Sequence, residues 1–369
     1  MQGGVQDAAQ FDRRMAAAIC DDTQLVWRAV PCTGVQVRGL GFFEQEKAWC
    51  RLPQALLPGL CAQHPALGQL AWHTAGASLA FCTDSPEVWV RARLASPPYM
   101  SHMAPTAQCG FDCYARYGGG GWRLAGVSKF ALDTASLCAR VAQGLPEGVQ
   151  VQVGLPLYVG VEALELGLVP GTRVWAPPPL AGPAAAFYGT SITQGGCASR
   201  PGMTYPAILQ RQLGVPVYNM GFSGNGLGMP ALAPLLCALP RLGALVVDIE
   251  PKAGPAGVLE RNLPLFLDAV RAYRPGLPIL VLSAPAQGQE AWDAALTARC
   301  AGWARFQQQE VERRRAGGDG AIQYVSARSL MGGLGAEATV DGVHLTDLGF
   351  YALARGLAPL VRRLLSGGE

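Results

Sequence analysis

The stretch AAAFYGTSITQGG, Ala184 to Gly196, decides how the rest of the chain is read. Five apolar residues, Ala184 to Tyr188, predict a short buried strand. The glycines and small polar residues after them predict a tight turn that ends at a helix start. Ser191 stands at the mouth of that turn. Open α/β sheets place reactive or ligand-binding groups just past the carboxyl ends of their strands, because the crevice begins there.

Outward from that stretch toward the C-terminus, strand and helix patterns alternate. Helices are expected at about Tyr205 to Leu213, Pro230 to Leu239, Val258 to Tyr273, Glu290 to Arg315 and Leu345 to Leu365. Strands are expected at Val215 to Met220, Ala244 to Ile249, Pro278 to Leu282 and Ile322 to Ser326. Regular alternation of this kind predicts a parallel sheet with helices on both faces, a three-layer α/β/α domain with right-handed crossovers.

Toward the N-terminus the pattern differs. From Thr23 to Val174 the period is mostly two, in short runs bounded by turn residues: Leu25 to Val30, Val35 to Leu40, Ser78 to Cys82, Val88 to Leu94, Phe111 to Tyr117 and Val149 to Val153. This predicts an all-β sandwich, jelly-roll-like, preceding the α/β domain. Gly118 to Gly121 reads as a hairpin turn, since no strand-loop-helix order surrounds it to make a phosphate cradle. Pro177, Pro178 and Pro179, with Gly182 and Pro183, form a stiff connector. The expected domains are therefore residues 1–178 and 179–369.

Net charge is +3 with only 15% charged residues in 369, so there is no field to hold a polyanion. Arg313, Arg314 and Arg315 read as one solvated helix turn. No nucleic-acid partner is expected. No run of about 18 apolar residues offers a membrane span, and the first residues, with Asp12, Arg13 and Arg14, carry no signal-peptide core. Eleven cysteines without a C-x-x-C pair fit neither a zinc knuckle nor a disulfide scaffold, so most are expected as buried thiols in a cytoplasmic protein, unless a leader was removed. His64, His73 and His102 lack partners at metal-ligand spacing and read as structural, and no metal or organic cofactor is implied. Trp72, Trp89, Trp122 and Tyr114 read as packing before they read as a sugar face. The Pro-rich segment around His102 and Met103 reads as an irregular loop that could reach over a neighbouring domain's pocket.

The motifs G-T-S-I-T-Q-G, N-M-G-F-S-G-N-G (Asn219 to Gly226) and D-G-V-H (Asp341 to His344), in that order, resemble those of the SGNH, or GDSL, hydrolase superfamily. The resemblance spans Ala184 to Leu365, and the β-rich region before it is similar to the sandwich that accompanies such domains in some carbohydrate esterases. It implies Ser191 as nucleophile, His344 as general base and Asp341 as the group that orients the imidazole. The residues support this independently. His344 is the one histidine after His102, and Asp341, three residues earlier, is near enough to hold Nδ1–H and leave Nε2 facing a hydroxyl.

The resemblance also implies an oxyanion hole made of the Ser191 N–H, the Gly224 N–H and an asparagine side chain. The asparagine is missing: the third strand continues V-V-D-I-E-P-K, which puts Lys252 at or beside its position and leaves Lys252 or Asn225 as replacement donor. Thr190 stands where the family usually has aspartate, a change in turn bonding outside the proton relay. Arg200 is a candidate contact for a polar substrate group, whereas Tyr205-Pro206 reads as structural.

Ser223 competes as a nucleophile, but Asn225 occupies the position where an α/β-hydrolase elbow needs glycine. Gly221 to Gly228 does not satisfy G-x-G-x-x-G, and Asp248 sits too close to its strand end for a ribose ligand. The expected activity is a serine esterase removing a short acyl group, acetate by preference, from a carbohydrate or similar polar alcohol. The alternatives are a catalytically impaired binding protein and an acyltransferase using the same serine. The partner is a small-molecule or oligosaccharide ester, and homo-oligomerisation is left open.

Overall fold

The computed structural model describes residues 10–12, 15, 16, 20, 24–250 and 257–367. Ten strands make up the first half: Val26–Ala29 (β1), Gln36–Arg38 (β2), Ser78–Thr83 (β3), Glu87–Leu94 (β4), Asp112–Arg116 (β5), Arg123–Val127 (β6), Ser136–Gln143 (β7), Val149–Gly154 (β8), Val161–Leu168 (β9) and Val174–Trp175 (β10). They form two antiparallel sheets, in the order β1-β9-β4-β7 and β10-β3-β8-β5-β6, with β2 added to β3. Leu79, Phe81, Val151 and Val153 of one sheet share a core with Val88, Val90, Leu164 and Leu166 of the other, which makes this a sandwich. Gly118 to Gly121 lies in the connection of the β5–β6 antiparallel pair, as expected.

Five further strands, Ala184–Gly189 (β11), Val217–Gly221 (β12), Leu242–Asp248 (β13), Ile279–Ser283 (β14) and Ile322–Ser326 (β15), form one parallel sheet in the order β12-β11-β13-β14-β15. Its central strands are buried on both faces because helices cover both. Ala185, Phe187, Ala244, Val246, Leu280 and Leu282 pack with the helices Tyr205–Leu213 and Asp347–Leu365. The alternate residues Ala186, Tyr188, Leu245, Val247, Ile279 and Val281 pack with Val258–Tyr273 and Ala294–Ala316. Side-chain caps start three of these helices: Thr204 accepts from Ala207 N–H, Asp293 from Leu296 N–H and Thr346 from Gly349 N–H.

The strand order places β11 between β12, the next strand in sequence, and β13, the one after it. That is the switch point of a doubly wound sheet, and Ser191 follows β11 directly.

The two halves are stitched together. Cys50, Leu52, Leu57, Leu60, Leu67 and Ala71 belong to the same core as β11, β12 and β13. Helical turns at Leu57–Gln63 and Leu67–Leu70, not anticipated from sequence, carry Leu57, Leu60 and Leu67.

Most cysteines are buried thiols, as expected, with one pair excepted, and one further expectation is revised. Cys20 and Cys138 are joined in a disulfide, while the other nine cysteines are free and seven of those are buried. Arg314 is also no freely solvated residue, since it is half-buried and paired with Glu310 and Asp268 while Arg313 stays exposed. Among the described residues no helix is long and apolar enough to cross a membrane.

Candidate active site

At the carboxyl end of β11 the chain turns into the one-turn helix Ser191–Gln194. The turn admits little besides glycine at two points. A Cβ on Gly221 would come within 2.1 Å of Gln194 N, and one on Gly226 within 1.8 Å of Gly189 O. This close fit sets the end of β12 against the serine turn, and Phe222 N–H donates to Gly189 O at 2.8 Å. Gly224, in the left-handed region at φ +68°, lies within the same loop.

His344 comes from the segment before the last helix, and its Nε2 lies 2.9 Å from Ser191 Oγ. Asp341 Oδ2 is 2.7 Å from His344 Nδ1, while its Oδ1 accepts from the backbone N–H groups of Val343 and His344. Partial burial works to raise the Asp341 carboxyl, but the bonds from the His344 ring and from the two backbone amides outweigh it and hold the group at about 2. It is therefore ionised at any working pH and fixes the imidazole with Nδ1 protonated and Nε2 free to accept. Ser191 is 8% exposed, whereas the side chains of His344 and Asp341 open to solvent.

Among the described residues the backbone N–H groups of Ser191 and Gly224 have no hydrogen-bond partner, as an oxyanion site needs. Asn225 spends its amide inside the turn, Nδ2 donating to Ser223 O at 3.0 Å. Lys252 lies outside the described residues. Among the described residues the imidazole that faces a serine hydroxyl is His344, on Ser191, and no histidine bonds to Ser223. Arg200 Nη1 donates to Asp112 at 3.2 Å and to the Tyr114 hydroxyl, so it ties the turn before Tyr205 to β5. Tyr205 is buried and bonded to Thr193 Oγ1, which donates to Asp248.

Residues of the first half that sequence reasoning left as structural stand behind the site. Gln194 Nε2 donates to Leu157 O at 3.0 Å and to His73 Nδ1 at 3.1 Å; its Oε1 accepts from Ser223 N–H at 2.9 Å. Arg51, fully buried, donates to Asn219 O, Gly221 O and Leu70 O. The loop with His102 reaches the site, its ring centroid 6.0 Å from that of His344. A cluster of potential ligands also exists where spacing showed none, formed by His102, Cys197, Asp341 and His344.

Burial, and secondarily the Arg51 charge, push His73 down to about 3. An unfolded chain takes up a proton there near the ordinary histidine value of about 6.5, so below that pH it binds a proton that the native state does not. Stability is fully present above about pH 6.5 and drains away toward about pH 3, by up to roughly 1.4 kcal/mol per pH unit. Thermal unfolding of His73→Gln should therefore lose less Tm than wild type on acidification from about pH 7 to about pH 4. Equal losses would refute this role for His73.

Residues 183–362 match the model of the GDSL-like lipase/acylhydrolase family, and residues 25–174 match that of the N-terminus of SGNH-hydro-type esterases. No curated protein matches the chain by sequence. Among solved structures, a candidate GDSL-like lipase from Bacteroides ovatus superposes with a TM-score of 0.82 at 24% identity, over 93% of this chain and 98% of that one. The salicylyl-acyltransferase SsfX3 of a tetracycline biosynthetic pathway gives 0.72 at 21% identity, over 93% and 99%. A family two carbohydrate esterase from Clostridium thermocellum, in complex with cellohexaose, gives 0.55 at 15% identity, over 81% and 94%. These likenesses bear on the fold.

Proposed function

Because this chain belongs to the SGNH (GDSL-type) hydrolase superfamily, we propose that it is a serine esterase that removes a short acyl group, acetate by preference, from a carbohydrate or similar polar alcohol. The observation that carries the reading is the unbroken line of bonds from Asp341 through His344 to Ser191 Oγ. In this reading His344 Nε2 takes the hydroxyl proton as Ser191 Oγ attacks the ester carbonyl. The N–H groups of Ser191 and Gly224 receive the oxyanion, in a frame set before substrate arrives. His344 then gives its proton to the departing alkoxide, and water, activated by the same imidazole, releases the acid from the acyl-enzyme.

Acyl transfer to a second alcohol uses the same groups and differs only in what replaces water. The partly open position of His344 and the likeness in fold to an acyltransferase support keeping it as the second reading. A cytoplasmic setting is in keeping with the nine free cysteines, and the Cys20–Cys138 disulfide speaks for an oxidising one. No partner beyond the ester is proposed.

Hydrolysis of p-nitrophenyl esters of increasing chain length tests the reading, with acetate expected to give the highest kcat/KM. Acetylated sugar, with and without a competing alcohol, separates hydrolysis from transfer. A rate that climbs steadily with chain length would overturn the short-acyl assignment.

A further inference from the structure

We propose that His102, Cys197 and His344 form an inhibitory Zn2+ site, in which the metal takes the imidazole that would otherwise activate Ser191. One ligating atom from each of these residues and from Asp341 lies within 4.8 Å of all the others. The three come from the loop after β4, the turn after Ser191–Gln194 and the segment before the last helix, so no sequence spacing reveals them. Thiolate and imidazole are the donor set that Zn2+ prefers, whereas Mg2+ prefers oxygen ligands and water.

The cluster is held in place from several sides. Cys197 is buried and sits at φ +69°, a backbone region that non-glycine residues enter rarely, in a turn closed by Gly195 and Gly196 N–H to Ser191 O. The His102 loop is pinned by Gln108, which accepts from Tyr99 and Met100 N–H and donates to Met100 O and Met103 O. Thr106 Oγ1 donates to Ser199 O at 2.6 Å, and Ser199 N–H to Asp347 at 2.9 Å, so loop, turn and helix are tied together. His102 itself is exposed, and its ring lies 6.0 Å from that of His344, centroid to centroid.

Asp341 already holds His344 Nδ1, which presents Nε2 as the ligating atom. A carboxylate behind a ligating histidine is the usual outer-shell arrangement of zinc sites. On binding, the Cys197 thiol gives one proton to solvent as the Zn–S bond forms. The His344 Nε2 lone pair leaves Ser191 Oγ for the metal. The metal site itself does not depend on the esterase reading; only its inhibitory effect does.

The test titrates ZnCl2 into the full chain during p-nitrophenyl acetate hydrolysis and, separately, against a chromophoric Zn2+ chelator. Wild type should bind one Zn2+ and lose activity, with EDTA restoring it, while Mg2+ has no effect. Cys197→Ala and His102→Ala should keep the metal-free rate and each raise the Zn2+ concentration for half-inhibition by about tenfold or more. His102→Ala changes an exposed loop side chain, so it remains informative if Cys197→Ala fails to fold. Wild-type Zn2+ affinity in either folded variant, or no binding at millimolar Zn2+, overturns the site. If no ester is hydrolysed but chelator competition still depends on both residues, the site stands and the esterase reading falls.

Discussion

Replacing Ser191 by alanine is expected to abolish ester hydrolysis, lowering kcat by about a millionfold if chemistry limits wild-type turnover, while Tm stays near wild type. The side chain makes one recorded hydrogen bond, to His344 Nε2, so its removal leaves little unpaired in the fold. His344→Ala should cost about as much, since a nucleophile and its base act as a unit and the second loss adds little to the first. Asp341→Asn should cost about ten-thousandfold, for a reason the geometry supplies. An asparagine that keeps its oxygen on the Val343 and His344 amides turns its NH2 toward Nδ1. The imidazole must then carry its proton on Nε2, where it cannot accept from Ser191. A fluorophosphonate probe checks the first of these apart from any choice of substrate. Wild type should be labelled on Ser191 and Ser191→Ala should not be, and labelling of the variant at wild-type rate would sink the nucleophile assignment.

The residues of this line were readable because each sits where local chemistry announces it. A buried apolar strand followed by Gly189 and Thr190 marks a sheet end, and Asp341-Gly342 before a capped helix marks a turn. The parallel sheet was legible for the same reason: its strands are mostly apolar, and Tyr205–Leu213, Val258–Tyr273 and Ile322–Ser326 fall on the expected residues. The sandwich was legible in kind but incomplete in content. Arg123–Val127, Ser136–Gln143 and Val161–Leu168 were passed over, and in the last Glu162 and Glu165, three residues apart, fall on opposite faces and break the period of two.

What could not be read is how the first half supports the second. His73, Leu157 and Gln194 meet over sequence separations of 121 and 37, and no motif encodes a carbonyl as a partner. The same blindness hid the ligand cluster around Cys197, whose members are ordinary residues until the chain brings them together.

Arg51 is the sharpest case of such support, and its replacement should carry the largest effect outside the line of bonds itself. It is fully buried, with its guanidinium 4.5 Å from the Phe222 ring centroid. Its Nη groups donate to Asn219 O at 3.2 Å, Gly221 O at 2.5 Å and Leu70 O at 2.7 Å. Among the described residues no carboxylate pairs with it, so backbone carbonyls and the Phe222 ring face offset its charge. Burial brings its ordinary value down to about 10, which still leaves it charged at neutral pH. Arg51→Met keeps the stem's bulk and removes the cost of burying a cation, but takes the donor from Asn219 O and Gly221 O at about 1 to 3 kcal/mol each, while Leu70 O keeps the His73 N–H. The unpaired carbonyls outweigh the recovered desolvation, so a net loss of about 3 kcal/mol is expected, a large part of a fold's usual margin. Both of those carbonyls belong to the end of β12, from which the loop that carries Gly224 departs. A shift there of about 1 Å would misplace an oxyanion donor and lower kcat by about a hundredfold. Arg51→Lys should fall between, because a single ammonium retains the charge but cannot span the three acceptors as the planar fork does. Thermal unfolding and kcat, measured on the same preparations, decide it. Wild-type Tm together with wild-type turnover in Arg51→Met would mean that the loop holds its shape without the first half of the chain.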